Sequence, residues 1–176
     1  PTSAQIINNS FSNFVISSTF AGQIRLSESD AAVLRILGTG VNNDTGAVTS
    51  TVLVSNNNFT NNTIDATNGT ISTWQSSLIG IQFSRVDIFN NRFQSNSTGA
   101  MIGVDQWKGQ PNASLSSAGE IRIFGNLFSA NTNNGPLIHY FNAPKTRFVN
   151  NTVVNNTMNG DSNLDAYFNY GLPGIS

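Results

Sequence analysis

The segment 88–96, with the sequence Ile-Phe-Asn-Asn-Arg-Phe-Gln-Ser-Asn, contains the pattern that decides the fold. Its anchor is Phe93, which has an apolar residue five positions earlier, an Asn two positions earlier and another Asn three positions later. Four more segments follow this template, with anchors at Phe11, Phe59, Phe128 and Val153. Recurrence of one template along a chain predicts a solenoid, in which each repeat forms a coil that packs on its neighbours.

Two columns of Asn accompany these anchors. The first column contains Asn in all five repeats: Asn9, Asn57, Asn91, Asn126 and Asn151. The second contains Asn in four repeats, with Phe14 as the exception: Asn62, Asn96, Asn131 and Asn156. Equivalent side chains of parallel strands stacked about 4.8 Å apart form ladders, and Asn tolerates the left-handed backbone of a tight corner. We therefore predict two structural Asn ladders whose members turn the corners, around an interior of stacked Phe, Ile and Val.

The intervals between anchors predict the number of coils. They are 48, 34, 35 and 25 residues, and a coil of a parallel β-helix takes roughly 20 to 30 residues before any inserted loop. The interval of 48 fits either two coils or one coil with a long excursion. Two apolar stretches inside it, 24–26 and 31–37, favour an extra coil, giving five to six coils. Second strands are predicted after the anchors at 99–104, 135–140 and 165–168.

The composition agrees with strands and turns. The 176 residues include 27 Asn, 21 Ser and 16 Thr, which compete with backbone hydrogen bonds inside helices. With 38% hydrophobic residues, the chain is long enough for one domain with a core. We expect an all-β fold with a single parallel β-helix domain over 1–168, and a C-terminal linker or inter-subunit segment over 169–176.

The pattern resembles the right-handed parallel β-helix of the pectate-lyase-like superfold, over residues 6 to 168. The F-x-x-N quartets at 59–62, 93–96, 128–131 and 148–151 are also similar to the repeat of the polymorphic outer-membrane-protein adhesins. Relatives of the G-G-A-[ILV] motif of that family occur at 98–101 and 134–137. The resemblance implies a right-handed solenoid and, from the range of its relatives, polysaccharide cleavage or binding, or adhesion.

The charges exclude two classes of partner. Charged residues make up 10% of the chain, the formal net charge is -1 and the pI is about 5.6. Nucleic acids and anionic membranes are bound by clustered Lys and Arg, which this chain lacks. There is no Cys, and no apolar run approaches the roughly 20 residues of a membrane-spanning helix.

The acidic residues do not predict a catalytic site. They are scattered, and Asp87 and Glu120 lie in different columns near Arg85, Arg122 and Arg147. This placement predicts ion pairs between coils on an outer face. A lyase or hydrolase would instead require Asp87, Asp105 or Glu120 to converge in a groove. We expect no enzyme activity, no cofactor and no metal.

A few other side chains could contribute to binding. His139, the single His, is expected to be a surface or hydrogen-bonded strand residue. Trp74, Trp107 and Tyr140 could form a platform on which sugars stack, or they could cover edges of the core.

Nine N-glycosylation sequons occur in the chain. Asn43, Asn68 and Asn112 lie in predicted loops, whereas Asn61 and Asn155 share a column that should point outward. Asn96 is a ladder residue and should be blocked. The five accessible positions predict a secreted eukaryotic glycoprotein that carries N-glycans.

The sequence favours a structural function. We expect an extracellular or cell-surface module that stacks head to tail on copies of itself in a filament, fibril or surface stalk, because neither terminus contains a recognisable cap. Two alternatives stay open: a carbohydrate-binding passenger module of an adhesin, and a fragment of a polysaccharide lyase or hydrolase.

Overall fold

A computed structural model describes residues 3–17, 31–37, 51–65, 76–82, 85–105, 120–141 and 146–158. The regular elements in these ranges are all β-strands, and every pair of neighbouring strands is parallel. The prediction of an all-β parallel solenoid is confirmed. No helix in the described ranges is long and apolar enough to span a bilayer.

Successive strands form the coils. The first coil contains β1 (Ser3–Ile7), β2 (Ser10–Ser12), β3 (Val15–Ser17) and β4 (Ala31–Leu37). The second contains β5 (Thr51–Ser55), β6 (Asn58–Thr60), β7 (Thr63–Asp65) and β8 (Ser76–Gln82). The third contains β9 (Arg85–Phe89), β10 (Arg92–Gln94), β11 (Ser97–Thr98) and β12 (Ala100–Asp105). The fourth contains β13 (Ile121–Phe124), β14 (Leu127–Ser129), β15 (Thr132–Asn133) and β16 (Ile138–Phe141), and the fifth contains β17 (Thr146–Val149), β18 (Thr152–Val154) and β19 (Thr157–Met158).

Equivalent strands of the coils pair to form four sheets. Sheet A has the order β1-β5-β9-β13-β17, sheet B β2-β6-β10-β14-β18, sheet C β3-β7-β11-β15-β19 and sheet D β4-β8-β12-β16. The predicted columns are in register. In sheet B the anchor Phe93 pairs with Phe59 on one side and Phe128 on the other, and Val153 follows Phe128. The apolar column five positions earlier lies in register in sheet A.

The prediction of an extra coil in the 48-residue interval is wrong. Strand β1 pairs directly with β5, with Ser3 opposite Thr51. Strand β4 pairs with β8 in sheet D, with Leu34 opposite Ile79. The apolar stretch 31–37 is thus the sheet D strand of the first coil, and the interval of 48 residues corresponds to one coil. The stretches 24–26 and 165–168 lie outside the described residues, as does the predicted linker 169–176.

Stacked aromatic rings form the centre of the core. The rings of Phe11 and Phe59 are 4.7 Å apart, those of Phe59 and Phe93 5.0 Å, and those of Phe93 and Phe128 4.7 Å. The side chains of Phe59, Phe93 and Phe128 are completely buried, whereas that of Phe11 in the first coil is only partly buried. Stacked Ile and Val of sheets A and D surround this column, so the interior is most complete in the middle coils.

One F-x-x-N quartet differs from the rest. In the first three quartets the Phe belongs to the central stack and the Asn to the second ladder. In 148–151 the Phe lies in β17 of sheet A, opposite Ile123, and Val153 occupies the anchor position. The quartet 148–151 is therefore not structurally equivalent to the others.

Candidate functional site

The first Asn column forms a continuous ladder. The backbone N and the side-chain Nδ2 of Asn57 both donate to Oδ1 of Asn91, at 2.9 and 3.0 Å. Asn91 donates in the same way to Asn126, at 2.9 and 3.0 Å, and Asn126 to Asn151, at 2.9 Å for both bonds. Asn9 starts the ladder with donations to Asn57 at 2.8 and 3.2 Å. The structure thus brings all five residues together.

The second column forms a ladder of four amides. Asn62 donates twice to Asn96, at 3.0 and 2.9 Å, and Asn96 donates twice to Asn131 at 3.0 Å. Asn131 donates twice to Asn156, at 3.0 and 2.8 Å. In the first coil, Phe14 donates only its backbone N to Oδ1 of Asn62, at 3.0 Å. This ladder is therefore complete at its C-terminal end and lacks an amide at its N-terminal end.

Each ladder has a direction. From the second coil onward, every ladder Oδ1 accepts from the preceding coil, and no ladder amide donates to the Oδ1 of an earlier coil. The Nδ2 group also donates backwards to a backbone carbonyl, for example from Asn91 to Val54 at 2.9 Å and from Asn131 to Phe93 at 2.9 Å. These bonds satisfy amides that are only 1 to 2% exposed in the interior coils, and burial without them would be costly. Amide donors therefore point toward the C-terminal end and Oδ1 acceptors toward the N-terminal end.

The corners are formed by the residues before the ladders, which corrects our prediction that ladder members adopt the left-handed backbone. Positive φ angles of 53 to 66° occur in two columns: Asn8, Asn56, Asn90, Gly125 and Asn150, and Asn13, Asn61, Ser95, Ala130 and Asn155. The side chain of Asn56 is exposed, whereas that of the next residue, Asn57, is buried. The corner residue turns the chain, and the ladder residue after it can then point inward to its backbone partners.

The sequons have different environments. Asn61 and Asn155 are exposed corner residues, as expected from their column. Asn96 is 1% exposed, and its Nδ2 donates to Phe59 O at 3.0 Å and to the next ladder amide. The predicted sites Asn43, Asn68 and Asn112 lie outside the described residues.

Three further sequons are accessible, and we did not select them from the sequence. Asn8 and Asn150 are exposed residues of the first corner column, and Asn58 is exposed in β6. The signal that could have identified Asn8 and Asn150 is their common offset, three positions before an anchor.

The outer face of sheet A contains the predicted ion pairs. Arg122 pairs with Asp87 of the preceding coil through its Nε, at 2.6 Å, and through Nη2. Arg147 pairs with Glu120 at 2.7 Å. The hydrogen bond to Asp87 raises the pKa of Arg122 above its ordinary value, against the smaller opposing effect of burial. The structure thus places both of these carboxylates beside arginines of the adjacent coil. Asp105 ends β12 in sheet D, and its side chain lies outside the described parts.

A shallow cavity lies beside these arginines. Its volume is about 260 Å³, and it is lined by Arg122, Ile123, Phe124, Arg147, Val149 and Asn150. The rings of Phe89 and Phe124 are stacked here, with centroids 5.1 Å apart and an interplanar angle of 6°. Each ring covers one face of the other, so that face of each ring is not available to stack on a sugar.

The remaining candidates give little support for binding. His139 lies in β16 and is 6% exposed. Of the two expected positions, the surface one is therefore wrong and the strand one is right. Trp74 and Trp107 lie outside the described residues, and the side chain of Tyr140 is not among those described. Within the described ranges, no three side chains of His, Cys, Asp or Glu are grouped as metal ligands would be.

The two ends of the described solenoid expose apolar side chains and strand edges. At the N-terminal end, Phe14 is 47% and Val15 76% exposed. At the C-terminal end, Val149, Val153 and Val154 are 40 to 42% exposed. Strands β1, β2 and β3 are edge strands at one end, and β17, β18 and β19 are edge strands at the other. Exposed edges and apolar residues are features of surfaces that bind another strand.

Comparisons with protein-family models, curated proteins and solved structures gave no match.

Proposed function

We propose that this protein is a structural, extracellular glycoprotein module whose β-solenoid stacks end to end on copies of itself in a filament, fibril or surface stalk. The observation that carries the proposal is the complementarity of the two described ends. One end offers the Oδ1 acceptor of Asn9, and the other offers the backbone amides of Asn151 and Asn156. Both ends also expose apolar side chains that a neighbour would bury.

The internal stacking of the coils is a precedent for this contact. Each coil already binds the next through parallel strand pairing, ladder amides and stacked apolar residues. A second copy placed on the C-terminal end would repeat the same contact with its own first coil. Such a head-to-tail contact is heterologous and open-ended, so it would produce a filament. The five described coils, at about 4.8 Å each, would contribute roughly 24 Å to its axial repeat.

The parallel solenoid and its F-x-x-N quartets are consistent with a right-handed helix of the pectate-lyase-like superfold, and with a relation to the polymorphic outer-membrane-protein adhesins. A carbohydrate-binding adhesin module is the second candidate function. It is favoured by the cavity beside Arg122 and Arg147, where guanidinium groups could bind hydroxyl or carboxylate groups of a glycan. The mutual stacking of Phe89 and Phe124 favours it less, so we place it second.

Electron microscopy of the purified chain over a concentration series tests the structural function. We expect filaments whose axial repeat is no shorter than the height of the described coils. Isolated particles at every concentration would contradict self-stacking, and a glycan array would then test the adhesin module. A polysaccharide degradation assay with and without calcium tests the lyase or hydrolase alternative, for which we expect no product.

Glycopeptide mass spectrometry of protein made in a eukaryotic secretory host tests the glycoprotein part of the proposal. We expect glycans at Asn61 and Asn155, because both are exposed, and none at Asn96, because its amide is buried and doubly bonded. Asn43, Asn68 and Asn112 are also expected to carry glycans. Unmodified peptides at all five of these positions would contradict it.

A further inference from the structure

We infer that the first Asn ladder continues from one copy of this chain into the next, from Asn151 to Asn9, and that Phe14 interrupts the second ladder at the same contact. The inference rests on the proposed end-to-end stacking and specifies which groups form the interface. It makes Phe14 a residue that limits the strength of self-association.

The amide of Asn151 is already oriented as an interior ladder amide is. Its Nδ2 donates to Ile123 O at 2.9 Å and to Val149 O at 3.2 Å. The Nδ2 of Asn126 makes the same two kinds of bond, to Ile88 O at 2.9 Å and Phe124 O at 3.2 Å, and still donates to the next Oδ1 at 2.9 Å. Asn151 can therefore donate to a further Oδ1 without changing its rotamer, so little conformational entropy is lost on binding.

Asn9 is the matching acceptor at the other end. Its backbone N and Nδ2 donate to Asn57, and its Nδ2 also donates to Ile7 O at 3.0 Å. These bonds orient Oδ1 away from the second coil, in the direction from which the Oδ1 atoms of Asn57, Asn91 and Asn126 each accept two ladder bonds. Within the chain, Asn9 donates two hydrogen bonds to Oδ1 of Asn57. In a copy docked in ladder register, Oδ1 of Asn9 would accept two equivalent bonds from Asn151 of the neighbouring copy.

The second ladder cannot continue in this way. Asn156 is oriented like Asn151, since its Nδ2 donates to Phe128 O at 2.9 Å and Val154 O at 3.1 Å. In the same docking, the residue facing Asn156 is Phe14, which has no side-chain acceptor. Within the chain, the backbone N and the Nδ2 of Asn131 both donate to Oδ1 of Asn156. In the docked pair, the same two groups of Asn156 would be covered by the neighbouring copy without an acceptor. Covering polar groups without partners opposes association.

The apolar columns fit the same docking. Val153 of one copy would lie against Phe11 of the next, in the position that each anchor occupies relative to its neighbour in sheet B. Phe148 would lie against Ile6, extending the interior column of sheet A. Val153 is 41% exposed at present, so the contact buries apolar surface, which favours association.

Sedimentation velocity over a concentration series, with the full chain, tests the inference through three variants. Phe14→Asn supplies the missing acceptor, and we expect the dissociation constant for self-association to fall about tenfold or more, as two added hydrogen bonds allow. Asn9→Leu removes the acceptor of the first ladder, and we expect a rise of about tenfold or more. Asn58→Leu is the matched control, because Asn58 is an exposed Asn of the second coil, away from both ends. The dissociation constant of this variant should equal that of the wild type.

The outcomes separate this inference from the proposed function. If the wild type associates but Phe14→Asn leaves the constant unchanged, the ladder docking is overturned while end-to-end stacking stands. If the wild type and Phe14→Asn both stay monomeric at every concentration, both proposals fail. Circular dichroism with thermal unfolding checks the fold of Phe14→Asn and of Asn9→Leu, which separates ladder docking from aggregation of misfolded protein.

Discussion

At the scale of single residues, Asn91 shows how an amide can be buried in this fold. Its side chain is 2% exposed and contacts three coils. Its Nδ2 donates to Val54 O of the second coil and to Asn126 Oδ1 of the fourth, while its Oδ1 accepts from Asn57. The side chain uses its hydrogen-bonding capacity, which offsets the loss of hydration.

Replacing Asn91 by Ala should therefore destabilise the protein strongly. It leaves Val54 O, the backbone N of Asn57 and Oδ1 of Asn126 short of a partner inside the protein, and we expect the free energy of unfolding to fall by about 3 kcal/mol or more. Asn58→Ala removes an exposed amide in β6, which pairs with the strand that follows Asn91, and should change the free energy of unfolding by less than about 0.5 kcal/mol. Urea titrations followed by circular dichroism measure both values. Equal effects of the two substitutions would contradict a stabilising role for the ladder.

The corner columns contain residues whose backbone conformation does not suit them. Ala130 has φ of 54°, which costs an L-residue other than Asn or Gly about 1 to 2 kcal/mol. Asn61 and Asn155 occupy the equivalent corners with similar φ angles. The sequence showed this column as outward-facing but gave no sign that Ala130 is strained, because Ala has no preference that marks a turn.

Ala130→Asn should accordingly stabilise the protein. Asn adopts the left-handed region more readily, so we expect the free energy of unfolding to rise by about 0.5 to 1 kcal/mol. Ala130→Val should lower it by about 1 kcal/mol or more, since a β-branched residue is poorly accommodated there. Protein from a bacterial host avoids the sequon that the first substitution completes, and thermal unfolding measures both changes. A loss of stability in Ala130→Asn would contradict strain at this corner.

At the scale of strands, the sequence predicted sheets A and B in detail. In sheet D it predicted strands at 99–104 and 135–140, which overlap β12 and β16, but it misplaced β4. The first two sheets have anchors at constant offsets from paired Asn residues, so a single alignment gives their register. Strand β4 has no such marker, because 18–30 and 38–50 separate it from the template on both sides. Its apolar residues fitted an extra coil equally well from composition, and only its pairing with β8 assigns it to the first coil.

In the aromatic stack of sheet B, the stability lost on replacing a Phe should depend on the position of that Phe along the axis. Phe93 lies between two rings and is completely buried, so Phe93→Ala should lower the free energy of unfolding by about 3 to 5 kcal/mol. Phe11 is partly buried and stacks on one ring only among the described residues, so Phe11→Ala should cost about 1 to 2 kcal/mol. Chemical denaturation of both variants tests the difference. A larger effect for Phe11 than for Phe93 would show that the core does not become more complete toward the middle.

At the scale of the whole molecule, the sequence identified the ladder residues but not the direction of the ladders. A column of Asn predicts amide bonds between coils, whereas the polarity depends on the orientation of each side chain against backbone carbonyls such as Val54 O and Phe128 O. That polarity makes the two ends complementary instead of alike. Because Oδ1 acceptors point toward the N-terminal end, Phe14 leaves the second ladder without an acceptor at that end, which the sequence alone did not indicate.

The same architecture predicts a gradient of stability along the axis, because each coil of a solenoid is stabilised mainly by its neighbours. Strand β10 pairs on both sides, whereas β2 and β18 are edge strands of sheet B within the described chain. Amide hydrogens that lie in β10 should therefore exchange most slowly, and those of β2 and β18 faster by about a factor of ten or more.

Self-stacking adds a dependence on concentration to this gradient. Hydrogen exchange measured by mass spectrometry at low and high protein concentration should show slower exchange in peptides covering β2 and β18 at the higher concentration. Peptides covering β10 serve as the internal control, since both of their neighbours belong to the same chain. Uniform exchange along the axis would contradict the stability gradient. Exchange at β2 and β18 that does not change with concentration would contradict binding of a second copy at the ends, while leaving the fold as described.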